Sequence, residues 1–580
     1  MFSFHYQKPS LRAREAAHYW DLFAFVIILG LLGALAWAAV QMHSPYHLAE
    51  PIKISLSPWA LPAYAARTML RMLLAFLCSV LVTLIVAPLA AKNKQAEKLL
   101  IPMIDILQSV PILGVLTISV IFFIHLFPNR LLGPECAAIF AIFTAQVWNM
   151  ILSLYQSIKT VPKSFYEVSR IFHLSGWQCF WRIEIPYAMP GLLWNSMISA
   201  SASWFFLVAA EAIAVDNQHI MLPGIGSYIA QAIQQMDLRA MVYATGTMLL
   251  VILLYNQLFF RPLIAWSARF NADSIEDAAP PRSWAYQVML KSHGFKIIRK
   301  MINRYMVEPL LHPKTPVWPR PWRWDLARYE PYRAWMIQGW NALLIALLIC
   351  SCISIWHFIS HAVQLAEMQR VFYLGAITAL KVTVSVVLSS LLWVPIGVWI
   401  GQRPQLTQLA QGIIQFLAAF PANLVYPIAV TGILHFHLNV ELWTIPLMIL
   451  GTQWYILFNV IAGTTRIPKD LQLAAKNLGL RGFLWWKKLA LPGIFPYYVT
   501  GSMTAAAGCW NACIVSDVLQ WGTHKLVATG LGAYIAEHSQ TGDFERVALG
   551  IAVMCFYVLM INHFLWGKLY ALAAVHFVEE

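Results

Sequence analysis

Apolar runs of spanning length alternate with short polar or basic stretches along almost the whole chain. Six runs fall at about 20–41, 69–90, 101–127, 136–158, 190–214 and 241–263. Six more follow at about 335–360, 376–400, 409–434, 441–463, 493–518 and 547–573. A bilayer-spanning helix needs roughly 20 mostly apolar residues. At that length only a helix satisfies its own backbone groups inside lipid. The pattern therefore predicts an all-α integral membrane protein with about twelve transmembrane helices. The first run is too long, and lacks the small-residue exit, to be a cleaved signal peptide.

The two sets of six are copies. An offset of 306 maps Pro162-Lys163 onto Pro468-Lys469, Gly176 onto Gly482, Pro190 onto Pro496, Glu211 onto Asp517 and Asp237 onto Asp543. It also maps residues 224–230 (GIGSYIA) onto 530–536 (GLGAYIA). Upstream the offset is 310, taking Thr68 to Thr378, Arg71 to Lys381 and Pro111 to Pro421, so a four-residue indel lies between Pro111 and Pro162. An even number of spans per copy makes this a parallel repeat, with a pathway expected where the copies meet. Three segments follow: a first repeat over 1–263, a basic linker over 264–334 and a second repeat over 335–580. Within the linker, 286–310 reads as one interfacial amphipathic helix, with Ile298, Met301, Ile302 and Tyr305 on one face.

Composition agrees with the runs. Hydrophobic residues are 59% and charged residues 11% of 580, with a mean hydropathy of +0.62. That charge density is half the usual quarter of a soluble chain, which excludes a cytosolic enzyme, a disordered chain and a nucleic-acid binder. The net charge is nonetheless +14. With the N-terminus placed in the cytoplasm, 31 of the 40 Lys and Arg residues fall on the cytoplasmic side and seven outside, which predicts cytoplasmic termini in a bacterial inner membrane. The eight cysteines include no CxxC pair and no His/Cys metal spacing, and read as small packing residues.

The cytoplasmic loops 159–185 and 466–491 keep a common form while other loops diverge. Each runs Pro-Lys, a short helical stretch, then Pro-x-x-x-Pro. The leading proline suits a helix start. Small residues at Ala474, Ala475 and Gly479, like Val168 and Ser169, allow another surface to approach closely. These loops resemble the Glu-Ala-Ala loop of ABC importer permeases. The first keeps Glu167 but carries Val168, Ser169 and His173; the second keeps Ala474, Ala475 and Gly479 but has Leu473 in place of the glutamate. Thr68 with Arg71, Thr378 with Lys381, the breaks at Pro111 and Pro421, and Ala210-Glu211 look like the nitrate/sulfonate/taurine branch.

That resemblance implies a type I importer permease with both copies fused, in which Pro162, Lys163, Glu167, Val168, Ser169, His173 and Gly176, and Pro468, Lys469, Leu473, Ala474, Ala475, Gly479 and Gly482, couple to two ATP-binding cassette subunits. It implies ATP-Mg in those partners and none bound directly, since the chain has no GxxxxGK[ST]. It also leaves open a periplasmic or lipid-anchored substrate-binding protein. The branch handles small anions such as nitrate, sulfonates and taurine, and some neutral heterocycles. A twelve-span ion-coupled secondary transporter and a membrane scaffold are the alternatives.

Ionisable groups inside spans are functional candidates by default. Arg71 and Lys381 start the second span of each copy near its outer end, and Glu211 and Asp517 end the fifth. Two readings stand: a basic pair that draws an anion to the outer mouth, or a structural role as internal salt bridges Arg71–Glu211 and Lys381–Asp517 or as snorkelling side chains. Pro111 and Pro421, near Gln108 and Gln415, each free a backbone carbonyl, which suits either a gate or static packing.

Overall fold

The computed structural model describes residues 29–30, 33–42, 52–215, 218–270, 283–292, 300–301, 304–305, 308, 330–522 and 524–576. The repeat is carried at the level of every element. In the first half Leu61–Lys92, Lys94–Ser109, Ile112–Leu126, Leu132–Lys159, Lys163–Ile171 and Gly176–Glu211 are helical, and a hairpin of β1 (Ala212–Val215) and β2 (Gln218–Met221) follows. Helices Ile225–Gln234 and Leu238–Phe270 complete it. The second half runs Leu365–Gly401, Pro404–Ala419, Tyr426–His435, Val440–Thr465, Lys469–Asn477 and 482–516, then β3 (Val518–Trp521), β4 (His524–Val527), Leu531–Thr541 and Phe544–Ala573. Glu330–Ser360 precedes it. Among the described residues seven helices are long and apolar enough to cross a membrane.

Several expectations change. The runs 101–127 and 409–434 are each two helices. Pro111 and Pro421 lack an N–H and disfavour helical backbone at the residue before them. Val110 (ψ 131°) and Phe420 (ψ 123°) are accordingly extended. The segment after the second break is a short turn plus ten residues, against fifteen after the first, so the indel lies here, between Pro111 and Glu135. The fifth spans begin earlier than expected, at Gly176 and at 482, and are followed by antiparallel hairpins that hydropathy does not announce. The predicted linker helix is interrupted: Trp284–Lys291 is helical, and Ser292 at ψ 131° ends it. Ile298 and Ile302 lie outside the described residues, as does half of the 20–41 run, of which 29–30 and 33–41 are helical.

Repeated polar residues have local causes. Asp237 and Asp543 cap their helices, Asp237 Oδ1 accepting the Arg239 N–H at 2.9 Å and Asp543 Oδ1 the Arg546 N–H at 3.2 Å. Four single π-helical turns recur in pairs at the same offset: Phe180–Glu184 with Trp486–Ala490, and Asn256–Phe260 with Asn562–Trp566. Each half has its own apolar core, and Trp204 and Trp510 are buried, one in each. The halves also interlock. Ala422, Tyr426, Val430 and Leu519 of the second half enter the first core, and Trp194 stacks on Phe458 with ring centroids 5.5 Å apart. The Gly522 N–H of the β3–β4 turn bonds the Ile233 carbonyl at 3.1 Å.

Candidate functional site

The two loop helices are built alike. Pro162 and Pro468 stand at the N-caps, and Lys163 and Lys469 are the first helical residues. Both helices close with a left-handed residue, His173 at φ +51° and Gly479 at φ +68°. The next N–H then reaches back five residues, Leu174 to Ser169 and Leu480 to Ala475, each at 2.9 Å. This C-terminal turn explains why glycine suits the position, since any other residue is strained there. Gly176 and Gly482 open the following helices, the first under a capping box of Ser175 and Gln178, the second with Gly482 itself left-handed at φ +57°.

One face of each loop helix is packed and the rest is open. Ser169 and Ala475 are buried, whereas Glu167, Val168, Leu473 and Ala474 are exposed. Large apolar side chains stand on both surfaces: Ile171 and Phe172 are more than two-thirds exposed, as is Leu478. Below this face the halves differ. In the first, the Tyr166 hydroxyl donates to Glu184 Oε1 at 3.3 Å, and Lys92 Nζ pairs with Glu184 Oε2 at 2.8 Å. Burial beside that carboxylate pushes the Tyr166 phenol pKa up. The equivalent positions in the second half, Gln472, Ala490 and Gln402, hold no such ion pair.

At the other end of the helix Gly176–Glu211, about 50 Å away along its axis, Arg71 lies at the centre of a closed cluster. Its Nε and Nη2 grip Glu135 at 2.5 and 2.7 Å, and its Nη1 meets Glu211 at 2.6 Å. Its Nη2 also donates to the Pro223 carbonyl at 3.0 Å. Thr68 Oγ1 donates to Glu211 Oε1 at 2.7 Å, and the Gly226 N–H reaches Glu211 Oε2 at 2.6 Å. All three charged side chains have zero exposure. In the second half Lys381 Nζ lies 3.3 Å from Asp517 and 3.2 Å from Glu441, and donates to the Thr529 carbonyl at 2.8 Å. The two salt bridges posed from sequence are therefore present. Sequence reasoning missed their third members, Glu135 and Glu441, although the offset of 306 joins them.

The glycines after the hairpins serve this cluster by their size. Gly224 and Gly530 have extended backbone that any residue can adopt, but a Cβ there would stand inside 3 Å of the Glu211 and Asp517 carboxylates. At Gly226 and Gly532 it would strike the Val208 and Cys513 carbonyls equally closely. Backbone cannot swing aside as a side-chain tip can, so Gly226→Ala is expected to destabilise by about 1–3 kcal/mol. A fall in detergent melting temperature checks it, and an unchanged melt refutes the packing argument.

Pro111 and Pro421 are buried at the meeting of the halves. The first helix start after a break is satisfied from the opposite half, where Asn511 Oδ1 accepts the Ile112 N–H at 2.9 Å. Gln415 Nε2 lies across from Asn256 Oδ1 at 3.4 Å and also contacts Met197. Beyond the breaks a cavity of about 350 Å³ opens, lined by both halves, including Leu113, Val208, Gly226, Asn423, Tyr426 and Leu519. The loop helices and this cavity are thus separate places joined by long helices.

A family profile described as "Binding-protein-dependent transport system inner membrane component" matches residues 79–261 and again residues 393–567. The bicarbonate transport system permease protein CmpB of Synechocystis is 31% identical over 99 residues, 17% of this chain and 34% of that protein. The nitrate import permease protein NrtB of Leptolyngbya laminosa is 26% identical over 194 residues, 33% of this chain and 66% of its own length. A probable ABC transporter permease protein of Brucella abortus is 24% identical over 254 residues, 43% of this chain and 96% of that protein. The chain thus spans about a third and about two-thirds of the first two relatives, and nearly all of the third.

Proposed function

Because the chain belongs to the family of binding-protein-dependent transport system inner membrane components and carries that domain twice, we propose that it is a translocating subunit of an ATP-driven importer, a tandem fusion with the type I permease fold. The observation that carries this reading is the pair of exposed loop helices, each at the foot of a helix that runs to the cavity wall. Two ATP-binding cassette subunits dock there from the cytoplasmic side of a bacterial inner membrane, with both termini of the chain on that side. ATP binding draws the subunits together, the loop helices follow, and the bundles open the cavity to one side and then the other. ATP-Mg is held by the partners, and a substrate-binding protein delivers the solute. Bicarbonate and nitrate, named for the relatives, are both small anions and serve as first probes. The ion-coupled transporter and scaffold readings have no comparable support: they give the doubled family domain no task.

Purification of the chain from its own membranes tests this. The expected outcome is copurification of a Walker-A subunit, two per chain, with ATP hydrolysis lost when 466–491 is deleted. A chain that purifies alone from mild detergent, or a deletion that leaves the association unaffected, sinks the proposal.

A further inference from the structure

We propose that movement of the first loop helix reaches the cavity wall through the corner at residues 92–97, that Glu97 and Glu184 are the positioning residues of this link, and that the second copy lacks it. This deepens the importer reading and rests on it, since it names how a docked ATP-binding subunit moves the wall.

The corner is short and capped. Helix Leu61–Lys92 ends at Lys92, and Asn93 alone separates it from helix Lys94–Ser109. Asn93 Oδ1 accepts the Gln95 and Ala96 N–H groups at 2.9 and 3.4 Å. The second helix continues through Pro102 to Ser109, roughly 24 Å on. It delivers the chain to the break at Pro111 and to Leu113 in the cavity wall.

Two carboxylates fasten this corner on either side of the loop helix. Glu97 accepts from the Tyr155 hydroxyl at 2.6 Å and from the Lys159 ammonium at 2.8 Å, at the end of the helix that runs into the loop. Lys92 Nζ pairs with Glu184 at the foot of the fifth span at 2.8 Å and lies 5.2 Å from the Phe180 ring centre. Tyr166 of the loop helix donates to the same carboxylate. A shift of the loop helix against its flanking spans therefore pulls on the corner. Stability does not account for both pairs. Glu97 and Lys159 keep 28% and 38% of their side-chain surface open, where an ion pair contributes little.

In the second copy Thr407, Ile461 and Thr465 stand at the positions of Glu97, Tyr155 and Lys159. The corner there is bonded back onto the helix before it. Arg403 Nη1 donates to the Trp399 carbonyl at 2.9 Å, and Thr407 Oγ1 to the Ile400 carbonyl at 3.0 Å. Both loops dock a subunit, and one of them is geared to the wall.

The chain is copurified with its ATP-binding subunits, and backbone hydrogen exchange is read by mass spectrometry with and without ATP and vanadate. In the parent, nucleotide is expected to slow exchange in both loop helices and to change it over 111–118. Glu97→Gln with Glu184→Gln should keep two subunits and the slowing in the loop helices, and cut the change over 111–118 at least threefold. If the double variant does not assemble, Glu97→Gln alone carries the test, because its pair is part-exposed. Glu97→Lys should show the same loss, and Glu97→Lys with Lys159→Glu, which reverses the pair, should restore the response. Gln402→Ala with Arg403→Gln should leave the response over 422–430 as in the parent. A wall that responds fully in the double variant, a parent wall that never responds while its loop helices do, a reversed pair that restores nothing, or a threefold loss over 422–430 in the second-copy variant overturns the proposal. Absence of a copurifying ATP-binding subunit, or parent loop helices that nucleotide leaves unaltered, overturns the importer reading itself, and the proposal falls with it.

Discussion

Arg71→Gln is expected to cost about 3–5 kcal/mol, since removing one partner of a buried ion pair leaves its counter-charges uncompensated. Glutamine keeps most of the side chain's length but carries no charge. Glu135 and Glu211 would then both remain enclosed, with zero exposure and no cation. The folded yield in detergent should collapse, and surviving protein should melt far below the parent. Lys381→Gln should cost less, about 1–3 kcal/mol, because Glu441 keeps 41% of its side-chain surface open to solvent and water screens what the lysine leaves behind. Equal losses, or the reverse order, would refute the account of the two clusters. Neutralising the whole first cluster, Arg71→Met with Glu135→Gln and Glu211→Gln, should restore part of the loss. If the triple variant melts no higher than Arg71→Gln, charge balance is not what the cluster supplies.

This order also separates two ideas that the sequence left side by side. A guanidinium gripped by two carboxylates and the Pro223 carbonyl has four of its five N–H donors committed. The task the geometry assigns it is to clamp three separate elements: the helix Leu61–Lys92, the start of Leu132–Lys159 and the end of Gly176–Glu211. The second cluster does the same with a lysine. Asp517 is one methylene shorter than Glu211, and the lysine has one nitrogen where arginine has three, so fewer bonds form and the site is looser.

What the sequence made legible follows from what repeats and what periodicity can carry. The offset of 306 paired the two loop helices, Asp237 with Asp543 and residues 224–230 with 530–536, because each depends on a residue type at a fixed backbone position; the capping and close packing that explain them came only with the fold. It also contained Glu135 and Glu441, but these sit at the edges of apolar runs, where an isolated acid reads as loop. Only the arginine brought from 64 residues away gives the first its meaning. The hairpins were illegible because hydropathy registers apolar length and not strand pairing, and β1 continues the apolar run of the helix before it. The proline breaks were visible as residues, but Pro88, Pro190 and Pro395 lie inside continuous helices, so proline alone did not say where a helix would separate. Asn423 had no signal at all: its place in the cavity depends on the break before it and on the opposite half.

The loop helices should respond unequally to the same insult, and the ratio of ATP-binding subunits to permease reads the difference. A docking surface loses most when its exposed apolar anchors gain charge, since the partner must then desolvate a carboxylate against an apolar pocket. Leu473→Asp with Leu478→Asp alters two residues that are 58% and 76% exposed, so the fold of the second loop is untouched while its outer face becomes acidic. The subunit ratio is expected to fall from two to one, a loss of at least a hundredfold in affinity at that loop. Val168→Asp with Ile171→Asp, at 45% and 73% exposure, should weaken the first loop less. There an exposed carboxylate, Glu167, already stands on the outer face, and the tether through Tyr166, Glu184 and Lys92 holds the helix in place. Among the described residues the second loop helix is held by the packing of Ala475 and by the Gln472 amide on the Ile467 carbonyl, with no such ion pair beneath it. Native mass spectrometry of the solubilised complex gives the ratio directly. Two subunits retained in the second-loop variant, or both lost in the first-loop variant alone, would overturn the assignment of these faces as the docking surfaces.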